Sequence, residues 1–297
     1  MSPTRVNPYP LPDLLSALET LQQEQERASL QLATGTTINS PSDNPTGAAE
    51  LAQLNSQSSQ VDSFQQSVSS VLGMLSTADS TLNSVVTSLQ RAISLGVEGA
   101  NGTLSDSDRA DISAEVSGIQ SELISLANTS YQGQYLFAGT ANVQPYVDDS
   151  GSSSGVTYQG NTGVNLVTIG NGYHLQVNLP GSQIFNGTGA DVFQSIQDLI
   201  NALNTNTGIS GAVTELGTAY SYVTAQRVFY GNGMNQATNQ STNLSTEKLD
   251  LSQQVNTVSA ADITAVASQV ASDQTAATAA IEAIARIPQN SLFDYSR

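Results

Sequence analysis

Residues 51–93 read LAQLNSQSSQVDSFQQSVSSVLGMLSTADSTLNSVVTSLQRAI, with no proline. Stepping alternately by three and four gives Leu51, Leu54, Ser58, Val61, Gln65, Val68, Leu72, Leu75, Asp79, Leu82, Val86, Leu89 and Ile93, ten of thirteen apolar. Side chains at that spacing share one helix face, so the pattern specifies a long amphipathic helix. At 1.5 Å per residue it reaches roughly 65 Å, and a rod that long buries its stripe only against partners of similar length. A second seam supplies one: Val213, Leu216, Tyr220, Val223, Arg227, Tyr230, Met234, Ala237, Ser241, Leu244, Lys248, Leu251, Val255 and Val258, eleven of fourteen apolar. Heptads sustained over this length predict packed rods rather than unrelated helices.

Shorter seams lie outside these two. One runs Leu11, Leu14, Leu18, Leu21, Gln25, Ala28, Leu32, and Gly35 is placed to stop it. The other runs Ile263, Val266, Val270, Asp273, Ala277, Ala280, Ile284, Ile287, shifted in phase from the rod ending at Val258. That shift predicts a break at Ser259–Asp262. The two terminal seams match in size, so the ends of the chain are expected to pair as a separate coiled coil, marginal alone and ordered in an assembly. Between Gly35 and Gly47, prolines, glycines and Asx/Ser residues make a turn-rich linker: Asn39, Ser40, Pro41, Asp43, Pro45 and Gly47, with Asn44 as helix cap. Residues 1–10, with three prolines, are expected to form an irregular arm.

After Ile93 the pattern fades through glycines. Ser105 and Asp108 form a capping-box variant opening a helix on Ile112, Val116, Ile119, Leu123 and Leu126. From Tyr131 the period changes. Val156–Tyr158, Leu166–Ile169 and Tyr173–Leu179 are rich in β-formers and separated by Gly/Asn turns. A short helix on Val192, Phe193, Ile196, Leu199, Ile200 and Leu203 leads back to the second rod. The fold class is therefore mainly α, a long antiparallel helical rod with a small β-rich insertion. Its expected domains are residues 1–40 with 260–297, residues 41–139 with 189–259, and the insertion 140–188.

Composition narrows the function. Charged residues make up 11% of the 297, against ~25% in ordinary globular proteins, and uncharged polar residues replace them. Such a surface suits packing against copies of itself. A net charge of −17 with one lysine argues against nucleic acid and anionic membrane surfaces. No apolar run approaches a membrane span, and the N-terminus lacks the core of a secretory signal. The expectation is a cytosolic protein, or one exported without a cleaved signal. No cysteine is present to form disulfides or bind metal.

Chemistry is sought and not found. His174, the single histidine, sits in an expected strand facing solvent. Gly151-Ser-Ser-Ser-Gly155 matches the nucleophile-elbow pattern but sits in a Ser/Gly loop without strand–turn–helix context. Asp106, Asp108 and Asp111 lack the glycine and distal glutamate of a calcium loop, and read as helix-start acids. No phosphate-cradling motif occurs, and no cofactor or metal is expected; an enzyme is the remotest reading.

Leu32-Ala-Thr-Gly-Thr-Thr-Ile-Asn-Ser-Pro-Ser-Asp-Asn-Pro-Thr-Gly-Ala-Ala49 resembles the signature of the bacterial flagellin superfamily, with Thr36 and Thr37 where basic residues are usual. Gly102-Thr-Leu-Ser-Asp-Ser-Asp-Arg-Ala110 resembles that superfamily's turn. Gln134-Tyr-Leu-Phe-Ala-Gly-Thr140 and the ending Ser291-Leu-Phe-Asp-Tyr295 resemble its hook–filament junction branch. The resemblance covers about residues 1–140 and 210–297.

It implies an extracellular structural protein of the flagellum, transiently cytoplasmic before export. The terminal pair would line a central channel, with the insertion facing outward. Implied partners are further copies in a ring, hook-associated protein 1, flagellin, the filament cap, the flagellar type III export apparatus and its cytosolic chaperone. The terminal seams would carry subunit association, and the linker from Ser40 to Gly47 would set the angle between inner and outer domains. Rival readings are a flagellin proper and a secreted adhesin or fibre.

Overall fold

The structure, a computed structural model, describes residues 11–286. Helices dominate it, as the heptad reading requires. In chain order they are α1 (Leu11–Thr34), α2 (Pro45–Gly99), α3 (Asp106–Ala127), the single turn α4 (Gly181–Ile184), α5 (Val192–Thr205), α6 (Ile209–Ser259) and α7 (Ile263–Arg286). Residues 1–10 and the ending from Ile287, including Ser291–Tyr295, lie outside the described residues. The chain divides into two compact units, one of residues up to Ser59 with those from Lys248 onward, the other of Gln60–Glu247.

Local signals set the helix ends. Asn44 Oδ1 accepts from Gly47 N at 3.0 Å, so Pro45 opens α2 where its missing N–H costs nothing. Ser105 and Asp108 cap α3 reciprocally. Asp262 Oδ1 accepts from Thr264 N and Ala265 N at the start of α7, and α6 has already ended at Ser259. The phase shift between the two seams thus coincides with a break in the helix.

In the larger unit, α2 and α6 run antiparallel. Gly233 faces Leu75, Gly96 faces Val213, and Gln90 Nε2 donates to Tyr220 OH at 2.8 Å. Val68, Leu75, Leu82 and Leu89 of the α2 seam are buried, as are Leu216, Val223, Tyr230 and Ala237 of the α6 seam. A second α2 stripe, Val71, Ala78, Val85 and Ala92, is also buried, a heptad apart. The first seam does not reveal it. It forms because other elements of this unit cover α2: Gly99 lies against Leu203 and Ile112, and Arg91 of α2 pairs with Glu115 of α3 at 2.6 Å.

The β-formers build two-stranded antiparallel ribbons: β1 (Ser130–Tyr131) with β2 (Gln134–Tyr135), β3 (Tyr146–Asp148) with β4 (Val156–Tyr158), β5 (Leu166–Gly170) with β6 (Tyr173–Gln176), and β7 (Asn186–Gly187) with β8 (Ala190–Asp191). Isolated ribbons are marginal, so their stability must come from packing. Tyr146 supplies it: its ring lies 5.5 Å from Phe185, 4.8 Å from Phe193 of α5 and 5.1 Å from Tyr158. Burial pushes the Tyr146 phenol far above its usual pKa, keeping it a proton donor to Asn186 Oδ1 at 2.7 Å. Leu179 N donates to Tyr230 OH, fixing the region's end to α6. His174 is exposed on β6, with Nδ1 2.9 Å from Thr168 Oγ1.

Candidate assembly interface

The terminal seams pack on each other: α1 and α7 lie side by side within the smaller unit. The pair is anchored at its linker end. Thr37 N donates to Ser259 O at 2.7 Å, Ala261 N donates to Gly35 O at 2.9 Å, and Thr36 bridges antiparallel to Ala260. Gly35 makes this return possible with φ +71°, a left-handed conformation that side-chain-bearing residues avoid. These anchors involve the threonines that replace the usual basic residues. Sequence patterning gave no signal that they reach across to Ser259.

Ala28 is buried at 6% exposure, and Leu14, Leu18, Leu21 and Leu32 are half-buried. Val266, Val270, Ala277, Ala280 and Ile284 are half-buried on α7. Ile263, at the first turn of α7, is 47% exposed. The Leu11 side chain and all of Ile287 lie outside what is described. Leu15, Leu30 and Ile281 are exposed as well, so the pair carries apolar surface outside its seam.

Asp43 holds the linker. Its Oδ2 accepts from Ser40 N at 2.8 Å and Asn39 N at 3.0 Å, closing the turn that contains Pro41. Those two backbone N–H groups, Ser40 first, hold its carboxyl below the usual carboxylate range, and Arg27 at 3.8 Å adds to this. Gly47 packs closely under the turn, where a Cβ would meet the end of the Ile38 side chain at 2.6 Å. A hollow of ≈ 230 Å³ lined by Ile38, Pro41, Ala48 and Leu51 lies beside the turn. Among the described residues, no group of three His, Cys, Asp or Glu could hold a metal ion.

Residues 13–142 match the family described as the bacterial flagellin N-terminal helical region. This match covers the linker, α2 and α3. More particularly, the chain is similar to flagellar hook-associated protein 3 of Salmonella typhimurium, with 30% identity over 184 residues, 61% of this chain and 54% of that protein. It is also 38% identical to flagellin of Listeria monocytogenes over 112 residues, 38% of each chain. The chain spans about half the length of the hook-associated relative it matches. In fold it is similar to the crystal structure of flagellar hook-associated protein-3 from Legionella pneumophila, with a TM-score of 0.63 at 14% identity, covering 70% of this chain and 98% of that one.

Proposed function

We propose that this chain is a structural component of the bacterial flagellum, forming the junction between hook and filament and acting by helix packing. The 30% identity with hook-associated protein 3 over 184 residues carries the reading. The α1–α7 pair supports it physically. Two helices alone leave Leu15, Leu30, Ile263 and Ile281 exposed, and packing of neighbouring copies would cover them. In this reading the terminal seams carry subunit association as an inner tube, and the turn held by Asp43 sets the angle to the outer parts.

The ring of copies would sit between hook-associated protein 1 and flagellin or the filament cap. The chain would pass through the flagellar type III export apparatus with its cytosolic chaperone, and function outside the cell. The 38% match to a flagellin favours a second reading, a filament subunit proper. Polymerisation of purified chain, followed by light scattering and electron microscopy with and without flagellin filament seeds, separates the two. A monomer that binds filament ends without growing filaments alone supports the junction. Long filaments grown without seeds identify a flagellin. Ala28→Glu and Ala277→Glu place charges in the seam and should abolish end binding while Gln60–Glu247 stays folded; normal binding by both would sink the role given to the seams.

A further inference from the structure

Readily oxidised side chains are scarce in this protein: it has three methionines, no cysteine and no tryptophan. Two of the methionines, Met74 of α2 and Met234 of α6, stand at one level of the larger unit. Leu75 lies against Gly233, and Arg227 grips Asp79 at 2.9 and 3.1 Å. In an antiparallel pair those contacts place Met74 within a turn of Met234. Their surroundings differ. Met234 is half-buried, a step of the α6 seam between buried Tyr230 and Ala237. Met74 is half-buried on the face of α2 that meets the β1–β2 ribbon, and it borders two hollows of ≈ 340 Å³ and ≈ 140 Å³. Tyr131 of that ribbon lies over the neighbouring Gly73, where a Cβ would run into its hydroxyl. Hydrogen-bond donors surround Met74. Ser70, Tyr131 and Gln132 line the larger hollow, Thr140 and Asn142 the smaller, and Gln134 both.

We propose that Met74 is an oxidation site the fold tolerates, the residue at which this chain consumes peroxides without losing its structure. A lone pair of the thioether sulfur attacks one oxygen of hydrogen peroxide and the O–O bond breaks. That oxygen stays on sulfur, and its proton passes to the departing hydroxide, which leaves as water. The sulfur is oxidised by two electrons and the peroxide is reduced by two. The sulfoxide is polar where the thioether was apolar. Beside Met74 the hollows have room for the added oxygen, with amide and hydroxyl donors or water to satisfy it, so its cost there is small. The same oxygen on Met234 enters an apolar seam and disturbs the packing of the rods. None of this depends on the assembly role proposed above.

The test treats the full chain with hydrogen peroxide, with free methionine added as a reference, and follows each residue by peptide mass mapping. Met74 is expected to oxidise at nearly the rate of free methionine and severalfold faster than Met234. Stability is then read in Met234→Leu and Met74→Leu, volume-conserving changes that cost little by themselves. Full oxidation should leave the thermal midpoint of Met234→Leu unmoved. In Met74→Leu, where Met234 is left to react, it should lower the midpoint by about 3 °C or more. Met1 is common to both variants. Oxidation of Met74 no faster than that of Met234, or a midpoint that falls as Met234→Leu is oxidised, overturns the proposal. An equal shift in both variants does the same, since nothing then sets Met74 apart.

Discussion

Arg227 and Asp79 show how single residues set register in this protein. Each interrupts an apolar seam, and each seam tolerates its intruder because the other supplies the partner; Arg227 Nη1 also reaches Asn83 Oδ1 at 3.0 Å. The pair is only about a quarter exposed, so its loss is felt. Arg227→Ala should cost about 1–2 kcal/mol in urea unfolding, and Arg227→Met with Asp79→Leu should recover most of it. Additive losses in the double variant would show that the ion pair does not couple the helices. Asp43 makes a second residue-scale prediction. Its folded pKa lies below the ordinary 3.8, so the stabilisation is present above that value and lost as pH falls through the folded pKa. The Asn39 and Ser40 amide resonances should hold steady down to about pH 4 and move only below it. Movement above that pH would contradict the carboxylate's role in the turn.

At the scale of elements, caps and faces decide stability. Ser105→Ala removes the reciprocal cap of α3 and should cost about 1 kcal/mol, read as a shift in thermal midpoint; no shift would mean the cap is redundant. The one-seam reading of α2 undercounts its burial, because Val71, Ala78, Val85 and Ala92 form a second face that matters only once other elements cover it. The ribbons follow the same logic. β-formers and Gly/Asn turns mark their positions, yet β6 ends at Gln176 where the sequence pattern runs to Leu179. Val177 instead donates its N–H to Asn165 O, and Asn178 bonds Gly139 O and Gly163 O, links that no periodicity encodes.

At the scale of the whole molecule, the larger unit draws its core from both rods, the short helices and the ribbons. Phe193 touches the ring of Tyr146 and is fully buried. Phe193→Ala should therefore cost about 3–5 kcal/mol and lower the unfolding midpoint of ribbons and helices together. Loss of ribbon signals alone, with helical ellipticity and midpoint unchanged, would mean that the ribbons are a detachable appendage. The smaller unit has little core beyond one seam, so limited proteolysis of the monomer should cut within α1 and α7 before Gln60–Glu247.

The sequence by itself determined the helical class, the four heptad seams, the turn between Gly35 and Gly47, and the break before α7. Each of these rests on chemistry within a few residues: a 3.6-residue period, a capping side chain, a glycine or proline at a fixed offset. Tertiary structure alone decided which intruders would meet. Asp79 and Gln25 look alike as polar steps in a seam, and so do Arg227 and Asp273. Asp79 and Arg227 found each other, whereas Asp273 kept an oxygen unbonded among the described residues. The difference lies in which face of a helix more than a hundred residues away arrives opposite, and no local pattern records that.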